Sequence, residues 1–378
     1  MDSVGPVEAL KLPAAAIFLA QTAVIGPHTM FDAKIQAGAA GDPDGRPQWP
    51  AQRFACIVGA PRCGTTTLAR LLKSHPDVSF SVLKEPHFFS TVDLGEMNDG
   101  ELRDFVADHY LARFFPEIDA RAEMMAEASV SYLYAPERLL PLLRLWPDAK
   151  FVIAVRDPLE LIPSLHQRLL FQGDETVTDL EEAWRLIGER RQGRKVPRSC
   201  LDARQLFYDE AASLGKHVGH FFDVVGRERC HVVVFDDLKA DTAAVYADLL
   251  DFLDLAPAPL PERQQHRARN GFKIGWLQRL LKRPPVATAV LAGRHFRRRV
   301  TAKPNREPSR LSRRIMDVRK RLLRWNEAPA PPVRMSPSLA EEIRSHLRDD
   351  TALLQQLLGR DIGHWLGGSR ARAMEPAP

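Results

Sequence analysis

The sequence predicts an α/β fold, a parallel sheet of four or five strands flanked by helices on both faces. Three observations carry that expectation. Apolar runs such as Phe54–Val58 and Phe151–Val155 are continuous rather than alternating, as in strands covered on both faces. Stretches with helical spacing of apolar residues separate these runs, so successive strands are joined by crossovers and lie parallel. The first run ends in the turn Gly59-Ala60-Pro61-Arg62-Cys63-Gly64, which leads directly into the helical pattern Leu68, Leu71, Leu72. Strand, tight glycine turn and helix start together make a P-loop-like unit.

The 378 residues, 45% hydrophobic and 27% charged, suffice for one large core with appendages. Four cysteines, Cys56, Cys63, Cys200 and Cys230, fall in no zinc or redox-dithiol spacing, so free thiols in a reducing compartment are expected. The histidines form no metal signature and no metal is expected; His217 and His220 share a helix face without a third ligand and read as surface residues. The net charge of +5 is uneven. Between Arg263 and Arg324 stand 20 Lys and Arg against 2 acids, so this segment carries +18 and the remainder is net acidic.

Taken in order, Leu10–Gly26 is apolar but interrupted by Lys11, Pro13 and Gln21, and is too short to span a bilayer. It lacks the basic flank of a secretory leader, and Met30 is an alternative start. Gly38–Pro50 reads as a linker, so residues 1–52 are an extension and a cytoplasmic location is expected.

The turn after the first strand is an anion cradle. Arg62, Cys63, Gly64, Thr65, Thr66 and Thr67 offer backbone N–H groups, hydroxyls, a full positive charge and the positive end of a helix dipole. A triphosphate loop would place Lys directly after the second glycine; Thr65 stands there, and the cation sits at Arg62 instead. That placement resembles the 5′-phosphosulfate loop of sulfotransferases, which use 3′-phosphoadenosine 5′-phosphosulfate (PAPS) as donor. Most members carry Lys where this chain has Arg62, and a fork of fixed donors serves the same anion.

Two further motifs carry the resemblance. After a strand expected over Val78–Val82 comes Lys84-Glu85-Pro86-His87-Phe88-Phe89, which puts a carboxylate at the carboxyl edge of the sheet, where open α/β sheets bind ligands. It looks like the segment of carbohydrate sulfotransferases, notably the heparan sulfate type, whose Glu is the general base; the resemblance implies that role for Glu85, with His87 as the substitute. A solvated, turn-capping Glu beside two core phenylalanines is the alternative. The strand Ala149–Val155 is closed by Arg156-Asp157-Pro158, with Ser164 eight residues after Arg156. In the family that pair binds the 3′-phosphate; a salt-bridged strand cap is the other reading.

Other stretches match less closely. Residues 93–120 suggest an amphipathic helical cover, and Glu127-Ala128-Ser129 resembles a Glu-Lys-Thr-Pro segment of glycosaminoglycan enzymes, with Ala128 in place of the Lys. Helices are expected through Thr178–Val225, then the strand Cys230–Phe235, with Asp236 and Asp237 as turn and helix caps. Arg269 and Lys273 fall where the family has a late basic loop over the nucleotide.

The division expected is thus 1–52, a sulfotransferase core over 53–262, a basic segment over 263–330, a C-terminal helix within 331–367 packing on the core, and a disordered tail, 368–378. The basic segment reads as a solvated helical face or as a peripheral contact with anionic membrane at its inner face; nucleic acid is not expected. The resemblance implies transfer of a sulfuryl group from PAPS to a hydroxyl or amine of a small-molecule, carbohydrate or lipid-linked acceptor. A nucleotide-binding kinase and a non-catalytic membrane-associated protein on the same fold are the alternatives.

Overall fold

Arg53–Gly59 (β1) runs through the middle of the molecule because six of its seven residues are buried, with no polar side chain among them to be satisfied. The computed structural model describes residues 52–367, apart from 120, 201, 262–269, 284–309, 331, 332 and 334. Around β1 lie Val78–Phe80 (β2), Met124–Ala128 (β3), Lys150–Val155 (β4) and Cys230–Val234 (β5). They form one parallel sheet in the order β2-β3-β1-β4-β5. The sequence reading anticipated four of these strands and missed β3, whose Met-Met-Ala-Glu-Ala has no β-branched residue and carries an acid, though all five residues are buried.

The strand order fixes where ligands gather. From β1 the chain moves to one side of the sheet, and from β4 it moves to the other, leaving a crevice at their carboxyl ends. The helix Thr65–Lys73 (α1) follows β1, and Asp99–Val106 (α2) is started by a reciprocal capping box between Asn98 and Glu101. Pro158–Gln172 (α3) follows β4; Asp157 caps it by accepting from the Leu159 N–H at 2.8 Å, and Gly173, at φ 83°, ends it. Leu214–Val225 (α4) and Thr242–Phe252 (α5) flank β5, the second capped by Asp241. Helix α4 buries His217, expected at the surface, because its Nε2 lies 2.9 Å from the Glu210 carbonyl and so has a partner inside.

The basic segment enters and leaves through an antiparallel ladder, Asn270–Phe272 (β6) against Glu327–Pro329 (β7). Between them lie Gly275–Lys282 (α6) and Arg310–Asn326 (α7). Helix α6 docks on the end of α3: Gln278 Nε2 donates to the Phe171 carbonyl at 2.8 Å, and Arg283 pairs with Asp174 at 2.6 Å.

The C-terminal helix expected within 331–367 is broken into Pro337–His346 (α8) and Arg348–Leu358 (α9), followed by a 3-10 turn over Gly363–Leu366. Gly359, at φ 63°, stops α9. Helix α9 lies so close to α4 that a Cβ on Gly215 would stand 2.1 Å from the Asp350 carbonyl oxygen. The Asp350 carboxylate also accepts from the Gly215 and Lys216 N–H groups at 2.9 and 2.8 Å, capping α4 from outside. Asp236 and Asp237 are not helix caps: Asp236 accepts from Trp365 Nε1 at 3.2 Å and Asp237 pairs with Arg360, tying the end of the chain to the core. Residues 1–51, with the N-terminal extension, and the tail 368–378 lie outside the described residues.

Candidate functional site

The turn after β1 is shaped by Gly64. Its φ of 96° suits glycine, and a Cβ there would lie 2.8 Å from Leu238 Cδ2 and 3.0 Å from Phe235 Cδ2. Helix α1 starts from it with no side-chain cap and no acid in its first turn, so the positive end of its dipole faces the crevice uncompensated. Thr65 is buried and Thr66 exposed at that end. Cys63 turns its thiol into the core, where burial pushes its pKa up to about 12, so its backbone is what it can offer an anion.

Arg62 holds a left-handed backbone, φ 68°, and its Nε donates to Ser164 Oγ at 2.9 Å. Arg156 donates from Nη1 to the Arg62 carbonyl at 2.9 Å, lies over the Phe235 ring at 4.4 Å and pairs with Glu160 at 2.9 Å. Residues that the sequence assigned to two separate seats thus form one cluster across the β1–β4 crevice. Two guanidinium groups, a buried hydroxyl and a helix N-terminus at one point make a site for a polyanion.

The second half of the site lies along the end of β3. The Ser81 N–H donates to the Ala126 carbonyl at 2.8 Å and the Ala128 N–H to the Lys84 carbonyl at 3.1 Å, pinning the loop that carries Glu85. Lys84 Nζ stands 2.5 Å from Glu85 Oε1, and His87 Nε2 stands 3.5 Å from Oε2. Burial alone would raise the Glu85 pKa, but the His87 bond and the Lys84 charge outweigh it and hold the carboxyl well below the usual range. His87 Nδ1 lies 2.7 Å from Ser131 Oγ, and the His87 N–H donates to Ser129 Oγ at 2.9 Å. Phe88 and Phe89 are core residues packed on Tyr110, with ring centroids 5.0 and 5.1 Å away.

Beneath this loop sits a second carboxylate, the Glu127 of the Glu127-Ala128-Ser129 segment, whose place at the end of β3 the sequence does not reveal. Glu127 is fully buried and accepts from Ser129 Oγ at 2.5 Å, Tyr132 Oη at 2.9 Å and Tyr110 Oη at 3.0 Å. Burial pushes its pKa up to about 7, against the pull of those three hydroxyls. Ala128, beside it, is fully buried in the sheet and leaves no opening toward a ligand.

Arg168 was also missed; it lies on α3 one helical turn beyond Ser164, and Glu85 is among its electrostatic neighbours. The i, i+4 spacing from Ser164 was the available signal. Arg269 lies outside the described residues, and Lys273 sets its ammonium 5.3 Å above the Trp325 ring.

The pattern of the sulfotransferase family matches residues 55–259. Over 54 residues the chain is 44% identical to carbohydrate sulfotransferase 15 of Homo sapiens, and equally to that of Rattus norvegicus. That stretch is 14% of this chain and 9% of either relative, so the chain spans under a tenth of the length of the curated relatives it matches. A solved sulfotransferase from Alicyclobacillus acidocaldarius has 24% identity and a TM-score of 0.55, over 83% of this chain and 99% of that one, and shares the fold. With the family pattern covering more than half of its length, from β1 to just past α5, this chain belongs to the sulfotransferase family of enzymes.

Proposed function

We propose that the chain moves a sulfuryl group from PAPS to a hydroxyl or amine acceptor, with Glu85 taking the acceptor's proton. The cluster of Arg62, Arg156 and Ser164 at the crevice carries this reading, because a nucleotide with phosphate at both the 5′ and 3′ positions needs two cationic seats close together. Gly64 lets the turn close against Leu238 and Phe235, which any side chain there would strike. When bound, the nucleotide supplies an activated sulfuryl group. Arg62 and the amides at the start of α1 hold its 5′ end, while Arg156 and Ser164 hold the 3′-phosphate. Lys84 and His87 keep Glu85 ionised and aimed, so that it can accept a proton on Oε1 or Oε2. His87 is the substitute base.

Calorimetric titration with adenosine 3′,5′-bisphosphate and with its analogue lacking the 3′-phosphate tests the reading. Arg156→Ala should weaken the first by roughly thirtyfold, about 2 kcal/mol, and the second far less. Equal losses would reject the 3′-phosphate seat, and tighter binding of ATP with Mg²⁺ than of the bisphosphate would favour a kinase. A panel of carbohydrate, small-molecule and lipid-linked acceptors with radiolabelled donor then identifies the acceptor.

We also propose a peripheral contact of the basic segment with anionic membrane at the cytoplasmic face. Trp276, Leu280, Val318, Leu322 and Trp325 are exposed on α6 and α7 among basic residues, the composition of an interfacial surface. Among the described residues no helix is long and apolar enough to cross a membrane. Sedimentation with phosphatidylserine liposomes should retain the protein and release it on Trp276→Ala with Trp325→Ala; equal retention of the variant would reject this surface.

A further inference from the structure

The +18 segment would be a poor solvated face where it docks on α3, because it brings positive charge to a place that already holds some. Arg168 has two acids among its electrostatic neighbours, Glu85 and Asp174, and one further cation, Arg283. Both acids are engaged. Asp174 is paired with Arg283 at 2.6 Å, and Glu85 is held by Lys84 at 2.5 Å and His87 at 3.5 Å. Among the described residues, Arg168 is left with no hydrogen-bond or ion-pair partner of its own.

Helix α6 then adds Lys282. Its ammonium lies over the Phe171 ring at 4.9 Å, and Phe171 is also the residue whose carbonyl anchors Gln278, so the lysine is fixed against α3 near its end. Arg168, Arg319 and Arg283 are its cationic neighbours, and Glu327 is the acid among them. Arg319 is held by donation from its Nε to the Leu281 carbonyl at 2.7 Å, which locks α7 onto α6. Burial and the neighbouring cations push the Lys282 pKa down to about 8, the response of an ammonium short of negative partners. Among the described residues these half-buried cations, Arg168, Lys282, Arg283 and Arg319, outnumber the acids around them, and such a cluster is stabilised by a bound anion.

We propose that the acceptor is anionic, and that Arg168 and Lys282 receive its negative group while its hydroxyl or amine faces Glu85. This rests on the sulfotransferase reading above and gives its acceptor a chemical class, a molecule bearing sulfate, phosphate or carboxylate. Arg168 links the two sites in space, being one helical turn from Ser164 on the nucleotide side and an electrostatic neighbour of Glu85 on the acceptor side. The basic segment is thereby an acceptor-binding element as well as a surface.

Amine labelling of the full chain, saturated with adenosine 3′,5′-bisphosphate and read residue by residue by mass spectrometry, tests it. Inorganic sulfate, inorganic phosphate and glucuronate are compared at ionic strength matched with sodium chloride. At least one should slow labelling of Lys282 about tenfold, the worth of one charged hydrogen bond, while leaving Lys273 unchanged. Which of the three protects distinguishes sulfated, phosphorylated and carboxylated acceptors, and glucose should give no protection. Arg168→Gln should abolish the protection and Arg168→Lys should keep part of it. No protection by any of the anions, equal protection by glucose, or protection that survives Arg168→Gln would overturn the proposal. Nucleotide binding is measured on the same samples by calorimetry. Failure there counts against the sulfotransferase reading, whereas loss of anion protection with nucleotide bound counts against the anionic acceptor alone.

Discussion

Glu85 and Glu127 belong to one hydrogen-bonded network, joined through His87 and Ser129, yet their acidities are driven in opposite directions. Both are buried enough for desolvation to oppose their charge. Glu127 answers with three hydroxyl donors and still has its pKa pushed up to about 7. Glu85 has a lysine and a histidine and stays ionised. The difference lies in the kind of partner: neutral hydroxyls orient a carboxylate, whereas a nearby cation changes its charge state. The ionised member faces the proposed acceptor, and the other sits beneath it in the sheet.

Substitutions can break or sharpen that contrast. The largest effect is expected from Glu85→Gln, which should lower turnover by roughly 10²–10⁴-fold while leaving nucleotide affinity intact. Unchanged turnover in a radiolabelled-donor assay would move the base to His87. Glu127→Gln should act on stability and its pH dependence. A carboxyl whose folded pKa is raised contributes its stability below the usual carboxylate value and loses it as pH rises through about 7. The unfolding free energy of the wild type relative to the variant, from denaturant titration, should therefore fall between pH 5 and pH 8 by an amount on the order of 3 kcal/mol. A constant difference across that range would mean that Glu127 does not titrate there.

A smaller effect is expected from Lys84→Met. Removing the cation raises the Glu85 pKa, so the acid limb of the kcat/KM profile should move to higher pH; an unmoved limb would show that Lys84 does not set the charge of Glu85. The smallest is Ser129→Ala, which deletes one of three donors to Glu127 and should cost about 1 kcal/mol in denaturant unfolding with turnover largely kept. A large loss of turnover instead would mean that the His87 N–H to Ser129 contact positions the catalytic loop.

Much of the site was legible because its residues stand directly after strands with unambiguous apolar runs. Arg62 to Thr67 follow β1 and Arg156 follows β4, so their placement needed only the local pattern and the parallel sheet. Glu85 could be found by its motif, but its charge state depends on His87 being turned back by a left-handed backbone, φ 53°, which no residue type announces. Strand β3 was hidden by its composition, and with it the burial of Glu127. Asp236 and Asp237 looked like caps because their partners, Trp365 and Arg360, lie more than a hundred residues later. The Arg168 cluster draws on α3, α6 and α7, and a cation's lack of a partner is a property of three elements together.

The ladder of β6 and β7 has a consequence for engineering. Phe272 is paired with Glu327 across an antiparallel register, so the chain leaves the core and returns to it at almost one point. The 54 residues between those two positions begin and end at adjacent points, so another insert can replace them with little movement of the flanks provided it also supplies the contacts that Gln278 and Arg283 make to Phe171 and Asp174. Such an exchange alters the surroundings of the end of α3 and leaves the turn after β1 with the same covalent surroundings. On the anionic-acceptor proposal, acceptor choice would be separable from donor choice, and a library of grafted cassettes on one unchanged core would be the material on which to select new acceptors.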